Sequence, residues 1–191
     1  MLEEILKIDT ELFIYLNNLG NSSFDIFWTS LSKLAANVIP YFLLMMFYTI
    51  IKRYSKLKYS EVFYLLLVVA IMITISDQSA NLFKDSLQRL RPCYNEIIQD
   101  SVRLVKESCG GKYGFFSAHA SNSFSLAIFF GLLYKQNQQY LILATVIYAS
   151  LISYSRVYLG VHYPLDIFFG GLFGILNGIL FYRCYKFFNK S

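Results

Sequence analysis

Charged and hydroxyl side chains gather in three short blocks of the sequence, each beside a strongly apolar run. The blocks are KDSLQRLRP at 84–92, FFSAHASNS at 115–123 and SRVYLGVHYPLD at 155–166. The candidate functional residues within them are three of the cations, one serine, one aspartate and both histidines of the chain: Lys84, Arg91, Arg156, Ser117, Asp166, His119 and His162. A polar cluster next to a membrane segment is costly, so it usually marks a functional site.

These side chains are suited to binding and transferring a phosphoryl group. The three cations supply fixed positive charge and many N–H donors for phosphate oxygens. Ser117 and His119 lie at the start of an apolar segment, where the free N–H groups of a helix N-terminus would attract an anion. Asp166 follows His162 by one helical turn and can hold it in one tautomer, as a nucleophile or a base. Two histidines and an aspartate could also bind a metal ion, but three nearby cations would repel it.

The first block predicts a cationic helix face. Lys84 and Arg91 are seven residues apart, close to two helical turns, so we expect them to share one face. Asp77 precedes Lys84 by the same distance and could pair with it, in a structural or charge-tuning role. Arg89 and Arg103 could contact lipid headgroups, but a solvated surface position is the interpretation we favour for both.

Composition places the blocks in a membrane protein. The chain of 191 residues is 56% hydrophobic and 18% aromatic, with a mean hydropathy of +0.46. This is too apolar for an ordinary soluble domain of this size, and aromatic rings suit the membrane interface. The net charge of +5 would suggest a nucleic-acid partner in a soluble protein. Here the basic residues are better explained as topology signals and as partners of anionic headgroups, so no nucleic acid is expected.

The apolar segments predict an all-α, polytopic membrane helix bundle that forms a single domain over 1–191. An N-terminal amphipathic interfacial helix occupies 1–20, and a transmembrane bundle occupies 24–191. About five transmembrane helices are expected, near 24–51, 61–83, 119–134, 140–155 and 164–188. Lys33 and Pro40 interrupt the first of them. The last contains glycines whose spacing lets helices approach closely: Gly170, Gly171, Gly174 and Gly178.

Basic residues predict the orientation of this bundle. Residues 52–58 carry four Lys or Arg. The C-terminal tail adds Arg183, Lys186 and Lys190. With five spans, both regions and the 134–139 turn lie on one side, which the positive-inside rule makes cytoplasmic. The loops at 84–118 and 154–163 then face outward and carry the active-site blocks.

The three blocks resemble the signature motifs of the type 2 phosphatidic acid phosphatase superfamily. The first block has the pattern K-x6-R-P and the third has the pattern S-R-x5-H-x3-D. The order and spacing agree over about residues 60–185. The second block departs from the family's usual P-S-G-H, since residues 116–119 are Phe-Ser-Ala-His. Alanine adds a methyl group where glycine lets backbone approach phosphate closely. We interpret the change as a subfamily variation.

The resemblance implies a metal-independent phosphatase that needs no other cofactor. By that resemblance His162 attacks phosphorus and becomes a phosphohistidine, while Asp166 orients it. His119 protonates the leaving oxygen and then activates water. The phosphoryl oxygens would be held by Lys84, Arg91, Ser117 and Arg156.

Two cysteines bracket the outward loop. Cys93 and Cys109 are sixteen residues apart, and we predict a disulfide between them if that side is oxidising, with two free thiols as the alternative. The bond would add about 3 kcal/mol by the loop-entropy argument. Their setting also resembles lipid phosphatases of Gram-negative bacteria. That resemblance implies the bacterial inner membrane, with the site facing the periplasm or the outside.

The motifs indicate phosphate binding but do not identify the lipid that carries the phosphate. Four substrates are in reach: undecaprenyl diphosphate, lipid A phosphates, phosphatidylglycerol phosphate and phosphatidic acid. We favour undecaprenyl diphosphate, with lipid A next. A lipid or sugar phosphotransferase would use the same phosphohistidine, and a non-enzymatic anionic-lipid binder or transporter is the other alternative. A soluble vanadate-dependent haloperoxidase would share the anion site, but the apolar spans argue against it.

Overall fold

The computed structural model describes residues 1–53, 59–134 and 140–189, and across these it is helical with no β-strand longer than an isolated bridge. Its α-helices are α1 (Leu2–Asn18), α2 (Ser22–Leu31), α3 (Leu34–Arg53), α4 (Tyr59–Leu87), α5 (Ala118–Tyr134), α6 (Leu141–Tyr158) and α7 (Pro164–Phe188). Two short 3-10 turns lie between α4 and α5, at Pro92–Tyr94 and Gln99–Ser101. The predicted all-α fold is confirmed.

Three helices in the described ranges are long and apolar enough to cross a membrane: Ser60–Leu87, Leu141–Tyr158 and Pro164–Phe188. The first predicted span is divided into α2 and α3 at Ser32 and Lys33, and Pro40 lies within α3. The central helix α5 has 17 residues. The count of five crossings stays a prediction. Residues 54–58, 135–139 and Lys190, which contribute to the predicted topology, lie outside the described ranges.

Two helices continue further than the sequence predicted. α4 runs to Leu87 and α6 runs to Tyr158. The connections therefore span 88–117 and 159–163, and not 84–118 and 154–163. At the end of α6 the polar residues Ser155 and Arg156 are buried, whereas Asp85 and Ser86 near the end of α4 are exposed. α4 ends where Gln88 takes a φ of 47°, a left-handed conformation that does not continue a helix.

α5 and α7 pack with their backbones in close approach. Three glycines of α7 face three backbone carbonyls of α5, and we call this contact the small-residue seam. Its members are Gly170, Gly174 and Gly178 of α7 with Ser121 and Ser125 of α5 and with Ser117, which immediately precedes α5. A Cβ at Gly170 or Gly178 would lie 2.6 Å from the facing carbonyl oxygen, and one at Gly174 would overlap it. The close helix approach predicted from the glycine spacing is confirmed.

Buried polar side chains tie α4 to the same pair of helices. The hydroxyl oxygens of Ser76 and Ser121 are 2.5 Å apart. Asn177 Nδ2 donates to the carbonyl oxygen of Met72 and to Ser125 Oγ, each at 3.1 Å. Such bonds avoid leaving polar groups unsatisfied in an apolar surrounding, so they fix the register of α4, α5 and α7.

α1 is amphipathic, as predicted, but its buried face is largely polar. That face consists of Asp9, Phe13 and Asn17. Asn17 Nδ2 donates to two carbonyl oxygens at the end of α6, each at 3.0 Å. The exposed side carries an apolar stripe: Ile5, Ile8, Leu12, Tyr15 and Leu19. α1 is therefore held to the bundle by the hydrogen bonds of Asn17 and by the packing of Phe13, while the side chains of this stripe face outward.

Arg103 anchors α2, so the prediction of a solvated surface position for this residue is wrong. Both carboxylate oxygens of Asp25 in α2 accept hydrogen bonds from Arg103 Nη2, at 2.7 Å. Tyr158 at the end of α6 donates to the same carboxylate at 2.8 Å, and Trp28 stacks on the Tyr158 ring. The pairing spans 78 residues of sequence, which local patterns do not reveal.

Candidate active site

Four helix ends meet at one end of the bundle and carry the candidate residues. Lys84 lies in the last turn of α4, and Arg156 lies in the last turn of α6. Asp166 lies in the first turn of α7. The second block begins α5, where Ser117 immediately precedes the helix and His119 is its second residue. The backbone N–H of Ser117 donates to the carbonyl oxygen of Asp166 at 3.0 Å, so the second and third blocks are in direct contact.

His162 and Asp166 form a buried pair. Their residues are 2% and 0% exposed, and His162 Nδ1 lies 3.4 Å from Asp166 Oδ2. The same carboxylate oxygen accepts the backbone N–H of Tyr163 at 3.0 Å, which caps the helix that begins at Pro164. Because Nδ1 faces the carboxylate, Nε2 is the imidazole nitrogen left to react.

Arg156 supplies a buried positive charge with an unused donor. It is 4% exposed, and its Nη1 donates to Ser32 Oγ at the end of α2. Within the described ranges its Nε–H has no hydrogen-bond partner. A buried guanidinium N–H without a partner is costly, whereas an oxygen of an anion would satisfy it. No sequence signal pointed to Ser32, whose backbone also bonds to His119.

Arg91 reaches the site from a loop, so the prediction that it shares a helix face with Lys84 is wrong. α4 ends at Leu87, and the turn at Gln88 redirects the chain before Arg91. The charges nevertheless converge, because both cations interact electrostatically with His162. The convergence is produced by loop geometry and not by helical spacing.

The loop that positions Arg91 is closed by the Cys93–Cys109 pair. The structure joins these cysteines as a disulfide, with their Cα atoms 6.2 Å apart. The carbonyl oxygen of Cys109 accepts a hydrogen bond from Arg91 Nη1 at 2.7 Å, and that of Tyr113 accepts one from Arg91 Nε at 3.2 Å. The loop backbone therefore aims the guanidinium.

The surroundings of His162 favour its neutral form. Burial lowers the pKa of His162 well below its usual value, and Arg156, Arg91 and Lys84 lower it further. A hydrogen bond with the backbone of Gly114 acts in the opposite direction. Only an unprotonated imidazole can act as a nucleophile, so these charges favour the form that the predicted role of His162 requires.

His119 lies beside the same charges. It interacts electrostatically with Arg156 and His162. Asp77, predicted to pair with Lys84, accepts a hydrogen bond from Asn122 Nδ2 at 2.8 Å and interacts with Lys84 electrostatically. Its charge-tuning role stays a prediction.

Arg89 lies within the site, so the prediction of a solvated surface position is wrong. Its side chain is 19% exposed, and its Nη1 donates to Asp166 Oδ1 at 2.8 Å. Its Nη2 donates to Asp9 Oδ2 at 2.6 Å. The one sequence feature that could have indicated a partner for Arg89 is an acidic residue, Asp9, on the same helical face as Phe13 and Asn17.

Gly114 is a second residue that the sequence did not single out. A Cβ there would lie 3.0 Å from Asp166 Oδ2 and 3.2 Å from Arg91 Cγ. Its lack of a side chain therefore lets the loop close over the His162–Asp166 pair.

Residues 61–190 match the family described as the PAP2 superfamily, a range that includes all three blocks. The chain belongs to the PAP2 superfamily. Two relatives are similar along nearly all of it, and both are named lipid A 4'-phosphatase. One, from Bacteroides thetaiotaomicron, is 34% identical over 184 residues, covering 95% of this chain and 79% of the relative. The other, from Porphyromonas gingivalis, is 33% identical over 187 residues, covering 96% and 75%.

Solved PAP2 structures share the fold. The crystal structure of Aquifex aeolicus LpxE superposes with a TM-score of 0.68 at 25% identity, covering 91% of this chain and 93% of that one. A PAP2-type phosphatidylglycerolphosphate phosphatase from Bacillus subtilis gives 0.72 at 20% identity, covering 98% and 87%.

As a PAP2 membrane phosphatase, the protein is a hydrolase that acts on phosphoester bonds of lipids. Its apolar helices and bacterial relatives fit a protein of the bacterial inner membrane, with a membrane lipid as substrate. In the described part of the chain, no group of three or more His, Cys, Asp or Glu has a metal-binding arrangement. Independence from metal stays a prediction.

Proposed function

We propose that this PAP2 phosphatase removes the 4'-phosphate of lipid A through a phosphohistidine at His162. The observation that carries the chemistry is the buried His162–Asp166 pair, with the charges of Arg156, Arg91 and Lys84 around it. The lipid is suggested by the two relatives named for lipid A 4'-phosphate.

Lipid A was the second choice on sequence grounds, after undecaprenyl diphosphate. Neither of the two relatives and neither of the two solved structures is named for undecaprenyl diphosphate, so that preference gains no specific support. The same three blocks serve either lipid, because they bind phosphate and not the group that carries it.

The first chemical step forms a phosphorus–nitrogen bond. His162 Nε2 attacks the phosphorus, and the bond between phosphorus and the lipid oxygen breaks. His119 gives its proton to that oxygen, so the dephosphorylated lipid leaves as an alcohol. Asp166 holds Nδ1–H and stabilises the positive charge that develops on the ring. The three cations and Ser117 hold the nonbridging oxygens.

The second step returns the enzyme to its starting state. His119 takes a proton from a water molecule, whose oxygen attacks the phosphorus of the phosphohistidine. The phosphorus–nitrogen bond breaks, inorganic phosphate is released and both histidines recover their original protonation. The charges that bound the first transition state serve the second, since each has a similar distribution of negative oxygens.

We also propose that the whole chain is one domain whose site faces the periplasm. Asp166 lies at the N-terminal end of α7, whereas Arg183 and Lys186 lie near its C-terminal end. A helix of 25 residues is about 37 Å long, enough to cross a bilayer. The positive-inside rule then puts Arg183 and Lys186 in the cytoplasm and Asp166 on the opposite side.

The test is phosphate release by the detergent-purified protein in EDTA. The substrates are bisphosphorylated lipid A, undecaprenyl diphosphate, phosphatidylglycerol phosphate and phosphatidic acid, with mass spectrometry to locate the phosphate lost from lipid A. We expect release from the 4' position and a loss of at least about 10⁴-fold in His162→Ala.

Other outcomes are equally decisive. Release from lipid A only at the 1 position, or only from another lipid, would overturn the proposed substrate. Activity in His162→Ala, or none in EDTA, would overturn the mechanism. Phosphate recovered on an added lipid or sugar acceptor in place of free phosphate would make the protein a transferase.

A further inference from the structure

A charged chain of side chains extends from His162 to the N-terminal helix. Asp166 Oδ2 faces His162 Nδ1, and Asp166 Oδ1 accepts from Arg89 at 2.8 Å. The other arm of Arg89 donates to Asp9 Oδ2 at 2.6 Å. Asp9 Oδ1 in turn accepts the backbone N–H of Leu165 at 2.8 Å, in the first turn of α7. Both carboxylates therefore have both oxygens occupied.

This arrangement restricts the orientation of the nucleophile's partner. A carboxylate with one free oxygen can rotate about its last torsion. Here Arg89 holds Oδ1 of Asp166, so only Oδ2 is presented to His162. The side chain of Arg89 is itself held in place by aromatic contacts. Its guanidinium lies 4.2 Å from the centre of the Tyr163 ring, and Phe13 of α1 packs edge-on against that ring.

Burial makes the arrangement costly unless it is complete. Asp9 is 4% exposed and Asp166 is 0% exposed. Two buried carboxylates share one guanidinium, so removing Arg89 leaves both without their cation, and removing Asp9 leaves one arm of Arg89 without its partner. Helix α1 thus supplies a charge that the site needs, besides its hydrogen bonds through Asn17.

Resting on the proposed phosphohistidine chemistry, we infer that Arg89 and Asp9 are positioning residues for the His162–Asp166 pair. Arg89 sets which oxygen of Asp166 meets the imidazole, and Asp9 on α1 sets the place of Arg89. The N-terminal helix therefore completes the active site.

A merely structural ion pair predicts a different result. It would stabilise the attachment of α1 and leave the chemistry of His162 unchanged in any variant that folds. The charged and titratable groups facing His162 come from each surrounding segment: Lys84, Arg91, Arg156, His119, Asp166 and, through Asp166, Arg89. Removing Arg89 takes a cation from beside Asp166, so His162 should take up its proton at higher pH, whereas Arg89→Lys keeps that cation and reports the effect of geometry alone.

The experiment compares Arg89→Gln, Arg89→Lys and Asp9→Asn with the full-length protein. We expect Arg89→Gln to slow single-turnover phosphorylation of His162 about 100-fold, while the dissociation constant for lipid A changes little. Asp9→Asn keeps the shape and slows the step about tenfold. Arg89→Lys falls between wild type and Arg89→Gln, because it keeps the charge but not the two-armed geometry.

A second readout needs no substrate. The chain has only two histidines, so isotopically labelled histidine gives two imidazole signals, assigned with His119→Gln. The pKa of His162 should rise in Arg89→Gln. The matched control is Asp25→Asn, which breaks the pair between Arg103 and Asp25 of α2, an ion pair of similar length that does not touch Asp166. It should leave both the rate and the titration as in wild type.

The outcomes separate this inference from the proposed function. Wild-type activity with an unchanged rate and an unchanged His162 titration in Arg89→Gln and Asp9→Asn would overturn the inference alone. No phosphate release by wild type from any lipid would overturn the proposed function, and the titration would still decide whether Arg89 orients the pair. Equal losses in Asp25→Asn would reduce Arg89 to a structural ion pair.

Discussion

The two sides of the helix bundle are packed in opposite ways. At the small-residue seam, glycines of α7 lie against backbone carbonyls of α5. Between α3 and α6 there is an apolar groove of ≈ 520 Å³, lined by side chains such as Leu44, Phe47, Leu141 and Ala144. Tyr148 spans the two helices at one end of it, donating to the carbonyl oxygen of Ala36 at 2.6 Å.

The difference explains where the active site is built. Backbone packed on backbone has no rotamers to adjust, so α5 and α7 hold one relative position. Ser117 and His119 begin α5, and His162 and Asp166 lie at the start of α7. The seam therefore sets the distance between the second and third blocks, whereas none of the residues that line the groove belongs to a block.

The largest effect is expected at the centre of the seam. A Cβ in Gly174→Ala would overlap the Ser121 carbonyl oxygen and lie 2.9 Å from Phe124 Cβ, so α5 and α7 must separate. We expect a loss of about 2–3 kcal/mol in the free energy of unfolding, seen as a fall of about 5–10 °C in the melting temperature in detergent. Activity should fall with it, because separation moves His119 relative to His162.

Gly171→Ala is the matched control for that substitution. Its Cβ would lie 3.1 Å from the Phe124 ring, a side chain that can turn away, and not against backbone. We expect a small change in melting temperature and near-normal activity. If the two alanine variants melt alike, the seam is no more restrictive than the rest of α7.

The sequence predicted the parts of this architecture that depend on local spacing. The glycines of the seam, the helix start at Ser117 and the His162–Asp166 turn all follow from residues within a few positions of each other. Contacts between residues that are far apart in the chain were not predicted. Arg89 meets Asp166 across 77 residues and Asp9 across 80, so the sequence around Arg89 resembled an ordinary polar loop.

The error over Arg91 has a related cause. Its spacing from Lys84 fitted a helix, but spacing alone does not show where a helix ends. Gln88 ends α4 because its backbone is in the left-handed conformation. No glycine or proline lies beside it, so the residue types did not predict this conformation. Ser32 and Gly114 were missed for the reason that applies to Arg89: each acts on a block distant in the chain.

An intermediate effect is expected in the titration of His162 at the end of the seam. Burial and three cations lower its pKa. An ordinary histidine with a pKa of about 6.5 would be about 90% protonated at pH 5.5, whereas His162 should remain mostly neutral. Its imidazole signal should therefore shift only well below pH 6.5, and phosphorylation should lose less than tenfold between pH 7.5 and 5.5 from this group.

Arg156→Gln sharpens that titration. Removing the neighbouring charge with the largest influence should raise the pKa of His162, because the protonated ring loses a repulsive partner. A titration midpoint of His162 at or above pH 6.5 in the wild-type protein would show that the cations do not lower the pKa of its ring. The seam and the groove would then differ less in their electrostatics than in their packing geometry.

The smallest effect is expected in the groove. Ala144 lines it and is exposed, while its neighbour Thr145 makes the hydrogen bond that ties α6 to the carbonyl oxygen of Ala127. Ala144→Leu adds apolar volume where space exists, so it should change the free energy of unfolding by less than about 0.5 kcal/mol and leave phosphate release unchanged.

The substitution adds more atoms than Gly174→Ala does, so size alone would rank the two variants in the reverse order. A drop in melting temperature as large as that of Gly174→Ala would mean that the groove is closed in the membrane and that both sides of the bundle are packed alike. A neutral result would leave backbone contact at the seam as what fixes the separation of the blocks that carry His119 and His162.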